Sequence, residues 1–213
     1  MMDEPWAGCG KTGPVLRCGM LILMLLAGLV LTSCAKKIPH TLVKDYPQAR
    51  IRLIAVMPVT CSGTSDIQAS LYLREKVLNA LYFKGYPKVP LKLIDEKLMA
   101  FDQKQRPTAE GVVPPGVIGE LMGVDAVLYV SLMECRTTYR YLYAPTTVAA
   151  RFELRSAKTG ATLWSVQYRA GGRNFDFTTS GLEMKSTQVY EEALQEVVER
   201  SLDTLPDGPD ILG

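Results

Sequence analysis

Thirteen consecutive uncharged residues, Gly19 to Leu31, are apolar apart from two glycines and an alanine. Lys11 and Arg17 precede the run, and Thr32, Ser33 and Cys34 close it before Lys36 and Lys37. This is the charged, then apolar, then small-residue layout of a secretory signal. As a helix the run would reach roughly 20 Å at 1.5 Å per residue, short of the ~30 Å hydrocarbon core that a spanning helix must cross. The expectation is therefore a segment that is cleaved rather than retained, so that residues 34–213 alone must build the fold. Asp3 and Glu4 lengthen the leading part unusually, which suggests that the true start codon lies further in.

The stretch Leu31-Thr32-Ser33-Cys34 resembles a bacterial lipobox. Small side chains suit a narrow protease pocket, and the thiol is the nucleophile that takes a diacylglycerol. The resemblance implies lipidation of Cys34 and cleavage between Ser33 and Cys34. Ala35 in place of an aspartate implies the outer membrane, with the domain on its periplasmic face. One acyl chain holds a bilayer only marginally, whereas two or three, with Lys36 and Lys37 near anionic head groups, hold firmly.

The formal net charge is +2, and the signal's two basic and two acidic residues cancel, so the mature chain keeps it. Basic runs with interleaved aromatics are missing from the sequence, which argues against nucleic acid as a partner. The spacing of apolar residues then divides the mature chain. Residues 34–50, the lipidated cysteine and a proline-punctuated stretch, read as a tether reaching at most ~55 Å. Residues 51–205 read as one α/β domain, and 206–213 as a C-terminal tail.

Within that domain IRLIAVMPV (51–59) suits a buried strand, and residues 66–84 an amphipathic helix capped by Asp66 and stopped at Gly85. VPLKLID (89–95) reads as a second strand, Asp95 to Gln103 as a short helix, Pro115 to Met122 as a further helical stretch, and DAVLYVSLMEC (125–135) as a third strand. Strand, helix, strand, helix, strand implies parallel pairing. Residues 146–155 and 161–169 then alternate apolar with polar around an AKTG turn, which predicts a hairpin with Gly160 at positive φ. A Gly-Gly loop over 170–181 leads to a helix over 183–204. The product is a mixed five-stranded sheet packed with two long helices.

Five cysteines are present; Cys9 and Cys18 leave with the signal and Cys34 carries the lipid. Cys61 lies just past the first strand and Cys135 closes the third, so neighbouring parallel strands ~4.8 Å apart would place them within disulfide reach. In an oxidising compartment the pair is a candidate disulfide.

Little in the sequence carries catalytic chemistry. AGCGKTG resembles a phosphate loop, but Pro5 stands where the motif requires glycine and the stretch lies in the signal. His40 is the one histidine and sits in the tether, which leaves neither a zinc cluster nor a nucleophile–histidine pair. The acidic pairs Asp95/Glu96 and Glu191/Glu192 are adjacent, which on a helix points their side chains ~100° apart. The expectation is a non-enzymatic protein with no cofactor or metal.

A longer pattern does resemble a known family. Pro114 and Pro115, Gly123, Asp125, Ala126 and Tyr129, then Thr146, Thr147 and Val148, then Thr159, Gly160, Leu163 and Trp164 follow the layout of a family of bacterial outer-membrane lipoproteins of unknown function. Members are encoded near lipoproteins that resemble the curli secretion channel. The resemblance implies a fold like the N-terminal domain of TolB and no catalytic activity. Ser156 departs from the aspartate common in the family's turn, which puts that turn's hydrogen bond in question. Structural roles are expected for the motif: Gly123 ending a helix, Asp125 binding amides at a strand entrance, Gly160 turning, Trp164 packing the core.

The implied role is an accessory or assembly factor in envelope transport, with a curli-channel-like lipoprotein or a second copy as partner. A penicillin-binding-protein activator of similar fold is an alternative, although a sixteen-residue tether argues against reaching across the cell wall. A binding protein for a small envelope ligand is another; a deep polar pocket would favour it, a flat apolar patch a protein partner.

Overall fold

The structure, a computed structural model, describes residues 37–61, 67–102 and 113–209. Cys34 with its cleavage site, the cap Asp66 and Gln103 lie outside them. The chain divides into residues 1–37 and 38–213, and the second unit is the folded domain. Its strands are β1 (His40–Leu42), β2 (Ile54–Val56), β3 (Thr60–Cys61), β4 (Ala126–Thr137), β5 (Tyr143–Ser156) and β6 (Thr162–Phe175). Its helices are α1 (Ile67–Phe83), α2 (Leu91–Asp102), α3 (Pro115–Met122) and α4 (Thr179–Leu202). One mixed sheet runs in the order β1-β6-β5-β4-β2, with β3 also on β4. β2 and β3 are parallel to β4 and the remaining pairs are antiparallel. The expected mixed α/β sheet with two long helices, α1 and α4, is what the chain forms.

Alternation assigns the two faces. Leu128, Val130 and Leu132 of β4, Val148, Ala150, Phe152 and Leu154 of β5, and Trp164 and Val166 of β6 pack under α1 and α4 through Leu73, Val77, Leu194 and Val197. A smaller core on the opposite face joins Ala55, Met57 and Val127 to Ile94 and Leu98 of α2 and Ile118 of α3. β2 is thus buried on both sides, which explains its uninterrupted apolar run. Arg74, with 4% exposure, ties the layers together: Nε and Nη2 donate to the Val56 carbonyl at 3.2 and 3.0 Å, and Nη1 to both Asp95 carboxylate oxygens at 2.8 and 2.9 Å.

Four expectations are corrected. Residues 91–95, read as strand, open α2, because Pro90 starts a helix well and Leu91, Ile94 and Leu98 recur at helical spacing; the Ile94 amide donates to the Pro90 carbonyl at 3.2 Å. Gly171 and Gly172, read as loop, lie inside β6 opposite Thr147 and Thr146. A Cβ on Gly172 would fall 2.1 Å from Val189 Cγ1, so the glycine lets α4 sit directly on the strand. The tether is shorter than residues 34–50, since His40–Leu42 pairs with β6 and Tyr46 is buried. The tail begins packed: the Tyr86 hydroxyl donates to the Pro206 carbonyl at 3.0 Å, Asp207 pairs with Lys84 at 2.8 Å, and the Gly208 amide donates to the Lys84 carbonyl at 2.6 Å.

Candidate functional site

Most of the motif residues gather at one end of the sheet and are used in holding it, while Thr146, Thr147 and Val148 lie toward the Tyr143 end of β5. Pro115 opens α3 with Pro114 as its cap, and Gly123 closes it at φ 69°, its amide donating to the Gly119 carbonyl at 2.8 Å. Asp125 Oδ2 accepts the Arg52 and Leu53 amides at 3.0 and 3.1 Å, pinning the entrance to β2 as expected. Ala126 is buried opposite Ile54 and Ser156. Tyr129 donates to the Val113 carbonyl at 2.8 Å beneath the Arg155 guanidinium, and burial pushes its hydroxyl up to about 12.

The β5–β6 turn closes on Gly160 at φ 72°. Ser156 Oγ accepts the Lys158 and Thr159 amides, both at 3.3 Å, so the serine supplies the turn hydrogen bonds that its departure from aspartate had put in question. Thr159 Oγ1 accepts the Ala161 amide at 3.3 Å. Trp164 is fully buried and its Nε1 donates to Thr204 Oγ1 at 3.0 Å. Leu163 and Val148 are buried; Thr146 Oγ1 shares a hydrogen bond with Thr137 Oγ1 at 2.9 Å, beside Thr147.

The candidate disulfide does not form; the structure holds Cys61 and Cys135 as thiols. β3 does pair in parallel with β4, but Cys61 stands opposite Leu132. Cys135 lies two to three residue rises further, ~7–10 Å along the strand in addition to the ~4.8 Å between strands, beyond the ~4.4–6.8 Å that a disulfide tolerates. A bulge at Met133, between Leu132 and Glu134, turns Cys135 to the helix-covered face, where its Sγ donates to the Tyr190 hydroxyl at 2.9 Å.

Two of the hollows among the described residues bear on a ligand. One of about 490 Å³ lies between Tyr46, Arg50, Arg52, Tyr86 and residues 206–209. Burial raises both tyrosine hydroxyls, and the two bond each other at 2.8 Å. The other, of about 450 Å³, lies where β1 meets β6 and β5. Both are open troughs rather than deep polar pockets. Among the described residues no three His, Cys, Asp or Glu side chains group to hold a metal, and no helix is long and apolar enough to cross a membrane.

The opposite end of the sheet is different. Arg140 and Tyr143 exchange two backbone bonds of 2.7 Å across a two-residue turn, and Tyr141 in it takes φ 42° at 92% exposure. Such hairpin turns favour glycine or asparagine; a bulky residue at positive φ costs of order 1–2 kcal/mol. Tyr143 stacks on Phe175 at 4.8 Å, the Asp176 amide donates to the Leu142 carbonyl, and Tyr139 meets Ser186 of α4 at 3.1 Å. These contacts hold the β4–β5 turn against the β6–α4 junction, so exposed Tyr139, Tyr141, Phe175, Phe177 and Met184 form one apolar end. Of the buried polar atoms left unpaired among the described residues, Asn174 Nδ2 lies here and Ser201 Oγ near the end of α4. The sequence reading passed over this end. Its signal is TYRYLYAP (138–145), an aromatic-rich turn with no glycine or asparagine.

These features define a mixed α/β domain with a structurally committed motif end and an exposed aromatic end. A family profile described as "Putative lipoprotein GNA1162-like" matches residues 43–207, and the chain belongs to that family. "Putative lipoprotein NMB1124/NMB1162" of Neisseria meningitidis serogroup B (strain ATCC BAA-335 / MC58) is 29% identical over 167 residues, covering 76% of this chain and 74% of that protein. The crystal structure of lipoprotein GNA1162 from Neisseria meningitidis superposes with TM-score 0.50 at 25% identity, over 66% of this chain and 96% of that one. A PelC dodecamer structure from Paraburkholderia phytofirmans is a looser match, with TM-score 0.43 at 17% identity over 81% and 99% of the chains.

Proposed function

We propose that the chain is an outer-membrane lipoprotein on the periplasmic face, acylated on Cys34 after cleavage behind Ser33, and that it serves as a non-enzymatic accessory or assembly factor in envelope transport. The aromatic end carries this reading. Aromatic side chains held rigidly in water are the currency of protein recognition, and a strained, solvent-facing Tyr141 is what selection for contact rather than stability would leave. Membership in a lipoprotein family supports the anchor. The shortened tether counts further against an activator that must cross the cell wall, and the open troughs favour a protein partner over an enclosed small ligand. The expected partner is a channel-like envelope lipoprotein, with a second copy as the other outcome.

Photocrosslinking residues placed at positions 141 and 177 in the full chain test the reading, with position 158 at the motif end as control. Adducts to one envelope protein from 141 and 177 but not 158 support it. Adducts from 158 alone, or none from any position, overturn it. The anchor is tested separately: Cys34→Ser should accumulate as unprocessed precursor, and normally matured, soluble protein in that mutant would overturn the lipidation.

A further inference from the structure

Helices α2 and α3 cover the second face of the sheet only over β2, β4 and the adjoining end of β5. Over the rest of β5 and β6 the outward face carries a set of exposed arginines: Arg151 on β5, Arg169 and Arg173 on β6, with Arg136 on the neighbouring stretch of β4. Register places them on one surface, since Arg151 stands opposite Gln167, Ala149 opposite Arg169, and Pro145 opposite Arg173. Two carboxylates share this surface and both are engaged. Glu134 pairs with Arg136 at 3.3 Å and with Arg169 at 2.5 Å, and Glu153 pairs with Arg155 at 2.9 Å, which holds its carboxyl below the usual range. Arg151 donates to a neutral group, Gln167 Oε1, at 3.2 Å. The face is therefore positive even after its internal pairs are formed.

The same face receives the start of the domain. β1 pairs directly with β6, placing Thr41 opposite Ser165 and so beside Glu153 and Arg151, at the trough of about 450 Å³ noted above. Six residue steps separate Cys34 from His40, at most about 20 Å of chain. Resting on the acylation of Cys34 proposed above, we infer that this arginine-bearing face of β5 and β6 lies against the anionic head groups of the bilayer in which the chain is anchored.

Charge decides the occupant. Two copies meeting through this face in an isologous contact would set like charges against each other. An anionic leaflet meets the excess directly, and each basic side chain near such a surface strengthens the contact about fivefold. Lys36 and Lys37, on the connecting chain, add to it.

The test uses the mature acylated protein reconstituted in vesicles of phosphatidylcholine alone or mixed with phosphatidylglycerol, with phenylglyoxal modification of arginines read by mass spectrometry. Arg151, Arg169 and Arg173 should react at least about fivefold more slowly on the phosphatidylglycerol vesicles. High salt should restore their reactivity. Arg200, exposed on α4 over the other face, should be unchanged. The double variant Arg151→Gln, Arg173→Gln should float with both vesicles yet lose most of the salt-sensitive protection of Arg169. Equal reactivity on the two lipids overturns the inference, and so does equal protection on both, which would mean that a second copy or another protein covers the face. Failure to float with phosphatidylcholine vesicles would instead indict the acylation.

Discussion

The two ends of β5 are built by opposite rules. At the Ser156 end Gly160 supplies the positive φ of the turn, Ser156 satisfies two of its amides, Asp125 accepts two more, and Trp164 is buried with its nitrogen paired. At the Tyr143 end a tyrosine takes the positive φ and aromatics face water, while among the described residues each end keeps one buried unpaired side-chain atom, Asn174 Nδ2 here and Ser201 Oγ beside Thr204 at the other. The strand is 14 residues long, so the ends stand roughly 45 Å apart at ~3.4 Å per residue. One end follows the rules of stable turns; the other breaks them in full view of solvent. Residues that break local rules without local compensation mark where selection acts on contact instead of folding.

The sharpest way to break this contrast is at the motif end. Trp164→Ala removes the largest fully buried side chain and should destabilise by ~3–5 kcal/mol. Thr204 Oγ1, its partner, still donates to the Ser201 carbonyl at 2.7 Å, so the loss is one of packing. Urea denaturation of the mature protein measures it, and a loss under about 1 kcal/mol would show that this end is not the stabilising one. Asp125→Ala should follow at ~1–3 kcal/mol, because it strips the acceptor from two amides at the entrance to β2. Asp125→Asn, keeping one carbonyl oxygen, should fall between Ala and wild type.

The motif end was legible because its residues are punctuation. Gly160 after Lys158-Thr159 reads as a turn, Pro115 as a helix start, and the alternation of 146–155 as a half-buried strand, each a local rule that the structure follows. Residues 91–95 failed for lack of length: Leu91, Leu93 and Ile94 fit either period, and it takes Pro90 before them, Leu98 after them and the packing of Ile94 and Leu98 against Met57 and Ile118 to decide for helix. Gly171 and Gly172 read as loop because the reason for them, the approach of Val189 seventeen residues on, is not local. The Cys61–Cys135 pair had the right strands and the wrong register, because the β3–β4 pairing is made across a long crossover and the bulge at Met133 leaves no local mark. The aromatic end stayed unread because a turn without glycine or asparagine lacks the usual turn residues, leaving only the aromatic run of 138–145 to mark it.

A paired substitution sharpens the comparison at one backbone geometry. Gly160 and Tyr141 sit at φ 72° and 42° in the turns at opposite ends of β5. Gly160→Ala should destabilise by ~1 kcal/mol, and Tyr141→Gly should stabilise by about the same, since each exchanges a suited residue for an unsuited one or the reverse. Tyr141→Gly should also lose the crosslinked partner at position 177. Stabilisation with partner binding intact would mean that the tyrosine is strained for no purpose connected with docking.

The smallest effect separates the ends by pH. Asp176, at the foot of the aromatic end, is paired by Lys185 Nζ at 2.7 Å and accepts the Thr178 amide and hydroxyl at 2.9 and 3.0 Å. The Lys185 bond first, and the Thr178 bonds after it, hold its carboxyl at about 2 against an ordinary 3.8. A carboxylate lower in the folded than in the unfolded chain stabilises above the unfolded value, and that stabilisation is lost as pH falls through the folded one. Thr178 is the N-cap of α4, its hydroxyl accepting the Gly181 amide at 3.1 Å, so protonating Asp176 loosens the cap that it orients. Protection against amide exchange, taken relative to the intrinsic rate at each pH, should therefore fall in the first turn of α4 between about pH 4 and pH 2, while the amides of β4 to β6 near the Ser156 end stay protected. Asp176→Asn should quicken exchange in that turn already at neutral pH and remove its pH dependence. If the first turn and the Ser156 end lose protection together, the sheet opens as one unit and the aromatic end has no independence from the core that carries it.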